Sequence, residues 1–175
     1  FVLDKDEHKS YDYWHIELSG VKSGQLYGYK VQGDGTDGHC LDRGKLLIDP
    51  YTLSTAVGDK YSREKASVPG NNTEFAIKSM YLEKDDYDWE GDTTLRHDYF
   101  KTVIYEVHVG GFTKNPNSGV TAKLRGTYRG VIEKIPYLKE LGITAVELLP
   151  VHQFDVQDAP GGLNYWGYSP IAFFA

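Results

Sequence analysis

Thr102-Val103-Ile104-Tyr105-Glu106-Val107-His108-Val109 carries an apolar residue at nearly every position. That pattern fits a strand covered on both faces, as in a parallel sheet. The next stretch, 110–119, is rich in Gly, Pro and Asn and reads as a loop. From about Gly130 to Leu141 a helix is predicted, with Val131, Ile132, Ile135, Leu138 and Leu141 on one side and Glu133, Lys134, Lys139 and Glu140 on the other. Pro136 falls inside it and predicts a kink, because the carbonyl of Ile132 loses its partner. Gly142 is placed to end the helix. Ile143 to Leu149 reads as the next strand, closed by Pro150. Strand, helix and strand in that order predict a right-handed βαβ unit.

Upstream of this unit the pattern changes. Residues 1–52 read as β-rich. Trp14, Ile16 and Leu18 fall on one face at period two, as do Tyr27, Tyr29 and Val31. The turn-like residues 20–24 between them predict a hairpin. Residues 33–38 read as a second turn, and Leu46-Leu47-Ile48-Asp49-Pro50 as a short buried strand. Residues 53–100 are polar and weakly periodic, and read as a linker between two domains. Within them, the acidic cluster at 85–92 is expected to pack through Tyr87 and Trp89. Residues 101–175 form the third part. Its tail, 158–175, is rich in glycine and aromatic residues and has no terminating signal, so the chain reads as cut from a longer one.

Composition removes several function classes. Lys and Arg number 19 against 25 Asp and Glu, a formal charge of −6, with no basic run to grip phosphates. Nucleic acid is therefore not an expected partner. No apolar stretch is long enough to span a membrane, and mean hydropathy is −0.48. Cys40 is the only cysteine, so no internal disulfide forms. A reducing compartment is expected: the cytoplasm, or the plastid in a plant. The six histidines lack metal-ligand spacing, and no cofactor or metal is expected. Fourteen tyrosines in 175 residues stand out. Most read as strand and half-buried surface, with sugar stacking kept open for a few.

The candidate site residues lie at the end of the βαβ unit. Glu106 and His108 share one strand face with Ile104, and ionisable groups there are costly unless paired. Polar residues near the C-terminal end of a barrel strand often belong to a site. Glu147 on the second strand is a third candidate. The alternative is a hydrogen-bonded core network, which is favoured over proton transfer. Beyond the second strand, Asn164-Tyr165-Trp166-Gly167-Tyr168-Ser169-Pro170 is a dense aromatic loop. Its rings either floor a sugar subsite or pack over the barrel rim.

Residues 103–113, 126–130, 135–151 and 164–168 resemble the first strand, first helix, second strand and adjoining loop of isoamylase-type glycogen and starch debranching enzymes, members of the α-amylase superfamily. The stretch around Leu47-Ile48-Asp49-Pro50-Tyr51 resembles the β-sandwich starch-binding module that precedes their barrel. Gly110 departs from the pattern, since many relatives carry arginine there. The resemblance implies a β-sandwich, in its C-terminal part, followed by the first βαβ units of a truncated (β/α)8 TIM barrel. It implies retaining hydrolysis of α-1,6 branch points in glycogen, starch or branched maltodextrin. The catalytic carboxylates of such enzymes sit on later strands, so no catalytic residue is expected here. Tyr168 matches the substrate-binding tyrosine that stacks on the sugar beside the cleaved bond. Glu106 and His108 match the first strand, where support of the active face is expected. Two other readings are a stand-alone α-glucan-binding protein and a small α/β enzyme using Glu106 and His108.

Overall fold

The computed structural model describes residues 1–33, 41–84 and 87–175. The turn at 33–38 lies mostly outside the described residues and Cys40 wholly so, while in the cluster at 85–92 Tyr87 and Trp89 are both exposed and meet each other edge to face at 5.2 Å instead of packing over neighbouring elements. The strands are β1 (Lys9–Ser10), β2 (Tyr13–Trp14), β3 (Leu26–Tyr27), β4 (Thr55–Ala56), β5 (Lys78–Met80), β6 (Ile104–Val107), β7 (Ala145–Leu148), β8 (Gln153–Phe154) and β9 (Pro170–Ala172). The α-helices are α1 (Arg63–Ser67), α2 (Val109–Lys114), α3 (Tyr128–Glu133) and α4 (Ile135–Glu140).

The centre of the fold is the parallel pair β6–β7, with Ile104 opposite Ala145 and Val107 opposite Leu148. Helices α2, α3 and α4 form the crossover between them. Among the described residues each of these strands pairs only with the other. Their apolar side chains are accordingly half open: Ile104 is 59% exposed, Val146 42% and Leu148 42%. Val107, Thr113, Val120 and Leu138 are buried together with few other residues of this part. Thr113 is fully buried, and its hydroxyl accepts the Gly126 N–H at 2.7 Å.

The expected single kinked helix is two helices. Thr127 caps α3, its hydroxyl accepting the Gly130 N–H at 3.2 Å. The helix stops at Lys134, and α4 restarts with Pro136 in its first turn. Proline offers no N–H to Ile132 and its ring crowds that carbonyl. At the start of a helix the missing N–H costs nothing, so ending one helix and starting another is the lower-energy solution. Gly142 closes α4 at φ 86°, and the Ile143 N–H returns to the Leu138 carbonyl at 3.0 Å.

The expected hairpin in the N-terminal part does not form. Tyr13–Trp14 pairs back on Lys9–Ser10, and Leu26–Tyr27 pairs with Lys78–Met80, which also binds Thr55–Ala56. The sheet order is β3-β5-β4, so strands before and after residue 52 share one sheet. Polar side chains explain that choice of partner. Tyr27 donates its hydroxyl to Asp49 at 2.8 Å, and the Asp49 N–H reaches the hydroxyl of the fully buried Ser79 at 2.8 Å. Burial and the bond to Asp49 push the Tyr27 hydroxyl up to about 12. Residues 46–48, read as a buried strand, contribute a single bridge between Leu47 and Tyr29. Leu47 itself is exposed. No described helix is long and apolar enough to cross a membrane.

Candidate functional site

Glu106 lies in the middle of β6, exposed, in register with Glu147 on β7. Register partners in a parallel pair project to the same face, so these two carboxylates stand side by side.

His108 comes directly after β6 and caps α2. Its Nδ1 accepts the Gly111 N–H at 3.0 Å. A neutral ring then carries its proton on Nε2. The expected loop at 110–119 is therefore a helix at its start, followed by a 3-10 turn at Pro116–Ser118. Two adjacent glycines, poor helix formers, hid α2 from the pattern. The His108 ring packs on Tyr165, centroids 4.8 Å apart, and on Trp166 at 5.6 Å. Tyr165 and Trp166 meet edge to face at 5.1 Å. Gly110 is the second residue of α2, and a Cβ there would stand 3.1 Å from the His108 ring. A side chain at this position would need the ring to give by a few tenths of an ångström.

Tyr168 sits two residues past Trp166 and is 55% exposed. The backbone that carries it is fixed. Buried Asn164 donates through Nδ2 to the Tyr168 carbonyl at 2.7 Å and accepts the Gly167 N–H at 3.0 Å. Gly167 has φ 78°, and a Cβ there would lie 3.2 Å from both the Phe154 ring and the Pro150 carbonyl. The structure thus gathers His108, Tyr165 and Trp166, and Tyr168 follows two residues later in the chain on a tied backbone, outside that ring cluster. Glu106 is two residues earlier on the strand.

The same loop carries a buried polar cluster that no local sequence period marks. Asp155, its side chain 2% exposed, receives the Tyr61 hydroxyl, Arg63 Nη1 at 2.9 Å and the Gln157 N–H at 2.9 Å. Arg63 Nη2 pairs with Asp158 at 2.9 Å. Close by, Gln153 Oε1 accepts from the N–H of Thr55 at 2.6 Å and from its hydroxyl. One signal was present: a lone aspartate between Phe154 and Val156 in a half-apolar run. Its side-chain partners, Tyr61 and Arg63, lie more than ninety positions away, beyond the reach of any local pattern.

Burial pushes the Asp155 carboxyl up, but its bonds to Tyr61, the Gln157 N–H and Arg63 outweigh this and hold it below the ordinary value. A carboxyl lowered in the folded state adds stability above its unfolded pKa of about 3.9, which is lost as the pH falls through that value and then the lower folded one. Asp155→Asn should flatten the acid limb of stability in melts run from pH 7 to pH 3. Equal slopes for variant and wild type would show that the Asp155 charge carries no such share.

The profile described as "Alpha amylase, catalytic domain" matches residues 65–170. "Isoamylase 3, chloroplastic" of Oryza sativa subsp. japonica is 40% identical over all of this chain and 23% of its own length. The "Glycogen debranching enzyme" of Salmonella typhi is 39% identical over 94% of this chain and 27% of its own. Among solved structures, a putative alpha amylase from Salmonella typhimurium superposes on 90% of this chain and 20% of its own, with TM-score 0.53 and 27% identity. Pullulanase type I from Bacillus subtilis, complexed with maltose, covers 74% of this chain and 17% of its own, at TM-score 0.51 and 29% identity. The chain spans about a quarter of the length of the curated relatives it matches.

Proposed function

Since the chain belongs to the α-amylase family, we propose that it is part of a debranching glycoside hydrolase. The whole protein would cleave α-1,6 branch points of glycogen- or starch-type glucans with retention. The observation that carries this reading is the 35–40% identity to isoamylases and glycogen debranching enzymes over nearly the whole chain, its N-terminal part included. The start of a parallel barrel with an aromatic loop past its second strand supports it. Active sites of such barrels lie on the face built by the loops after the strands.

In this reading Tyr168 offers a ring to the glucan. His108 supports the loop through Tyr165 and Trp166, and Glu106 supports the same face. Retention requires two carboxyl groups about 5 Å apart, one a nucleophile and one an acid. Those groups would come from strands beyond the two present here. Residues 1–52 would carry the C-terminal part of a β-sandwich α-glucan module, residues 53–100, which lend β4 and β5 to the sheet of β3, would join it to the barrel, and residues 101–175 would begin that barrel. Cytoplasm, or plastid in a plant, is the compartment proposed.

The test is hydrolysis of glycogen and pullulan. The whole protein carrying this chain should release linear maltooligosaccharides from both, while the 175-residue chain alone should release none above blank. Reducing ends produced by the chain alone would overturn the assignment of the chemistry to later strands. A whole protein that cuts only α-1,4 linkages would overturn the debranching reading.

A further inference from the structure

We propose that Asp155 is a positioning residue for Tyr168, a role that rests on the debranching reading of this site. The path is short. Asp155 is held from outside the barrel by Tyr61 and Arg63, and from its own loop by the Gln157 N–H, which closes a turn around Val156. The Val156 carbonyl accepts the Asn164 N–H at 2.8 Å. Asn164 in turn grips the Tyr168 carbonyl and the Gly167 N–H. The side-chain links are buried or half-buried, so a group that lost its partner there would meet little water to replace it.

A chain of this kind fixes where the exposed Tyr168 ring stands. Stacking on a reacting sugar depends on placement, and a misplacement of about 1 Å can cost on the order of 100-fold. Arg63 also pairs with Asp158, so the segment before the barrel grips the loop at two carboxylates. The loop that presents Tyr168 is thereby referenced to residues 61–63 as well as to the barrel strands.

The experiment is a double-mutant cycle in the whole protein. Asp155→Ala should lower kcat on a branched glucan about 10-fold in the presence of Tyr168, and less than about 2-fold in the Tyr168→Ala background. Equal losses in both backgrounds would overturn the positioning role and leave Asp155 as scaffold. Tyr61→Phe removes one donor to Asp155 while leaving the carboxylate in place, and serves in the same cycle if Asp155→Ala does not fold. Hydrogen exchange supplies a readout independent of activity. The Gly167 amide should lose about 10-fold of its protection in either variant while the amides of α4 keep theirs. Unchanged Gly167 protection, or loss spread evenly over α4, would also overturn the proposal. A wild-type protein inactive on branched glucans with the Gly167 effect intact would instead fault the debranching reading and leave the tie between Asp155 and the loop standing.

Discussion

Tyr168→Ala in the whole protein should lower turnover on branched glucans by on the order of 100-fold, equivalent to about 2–3 kcal/mol of transition-state binding. Its melting temperature should hardly change. The residue is more than half exposed, so little packing is lost. The loop keeps its shape because Asn164 holds the backbone of residues 167 and 168, not the tyrosine side chain. A face-on contact with the sugar can strengthen as the ring flattens toward an oxocarbenium ion, which places the loss in kcat. Kinetics on a branched dextrin, paired with thermal melts, separate the alternatives. A collapse in melting temperature with unchanged activity per folded molecule would make Tyr168 a packing residue.

Gly130→Ala should destabilise the protein by about 1–3 kcal/mol through overpacking. Glycine in a helix normally gives up roughly 0.5–1 kcal/mol to alanine, so a plain propensity argument predicts the opposite sign. Geometry decides. A Cβ at Gly130 would stand 2.3 Å from the Leu124 carbonyl oxygen and 2.9 Å from the Thr113 hydroxyl. The first is backbone, in the 3-10 turn Ala122–Leu124, and the second belongs to a fully buried side chain that already holds Gly126. Neither can move without breaking the packing of α2 against α3. Gly58→Ala is the control, with nothing within 4 Å of its added Cβ and no positive φ. Matched melting of both variants with wild type would show that the 122–130 turn yields easily.

The parallel pair was legible because a short run that is apolar at most positions, rather than at every second one, has one economical use. Val103 to Val109 and Ile143 to Leu149 need cover on both faces, and the intervening residues supply a crossover. Gly142 announced the end of α4 because a left-handed residue there is nearly always glycine. Alternation in Trp14–Leu18 and Tyr27–Val31 tells which side chains share a face, but not which strand lies alongside. Tyr27 found its neighbour through Asp49 and Ser79, contacts of 22 and 30 residues that no period encodes. The aromatic loop at 164–168 was visible as composition. The role of Asn164 in tying it was not, because a buried side-chain amide looks in sequence like any turn residue.

The ties between the early segment and the late loop also set an order of events. Thr55 waits for Gln153, Tyr61 for Asp155 and Arg63 for Asp155 across 98, 94 and 92 residues. On a ribosome these partners cannot meet until the second barrel strand and the loop after it have emerged. At roughly 5–20 residues per second, the stretch from 55 to 63 stays without its late partners for several seconds. Contacts of such separation slow folding, since the loop must be closed before any of them stabilises it. In the nascent chain the segment ahead of the barrel therefore has only its early partners, such as β5, until the loop carrying Gln153 and Asp155 has emerged.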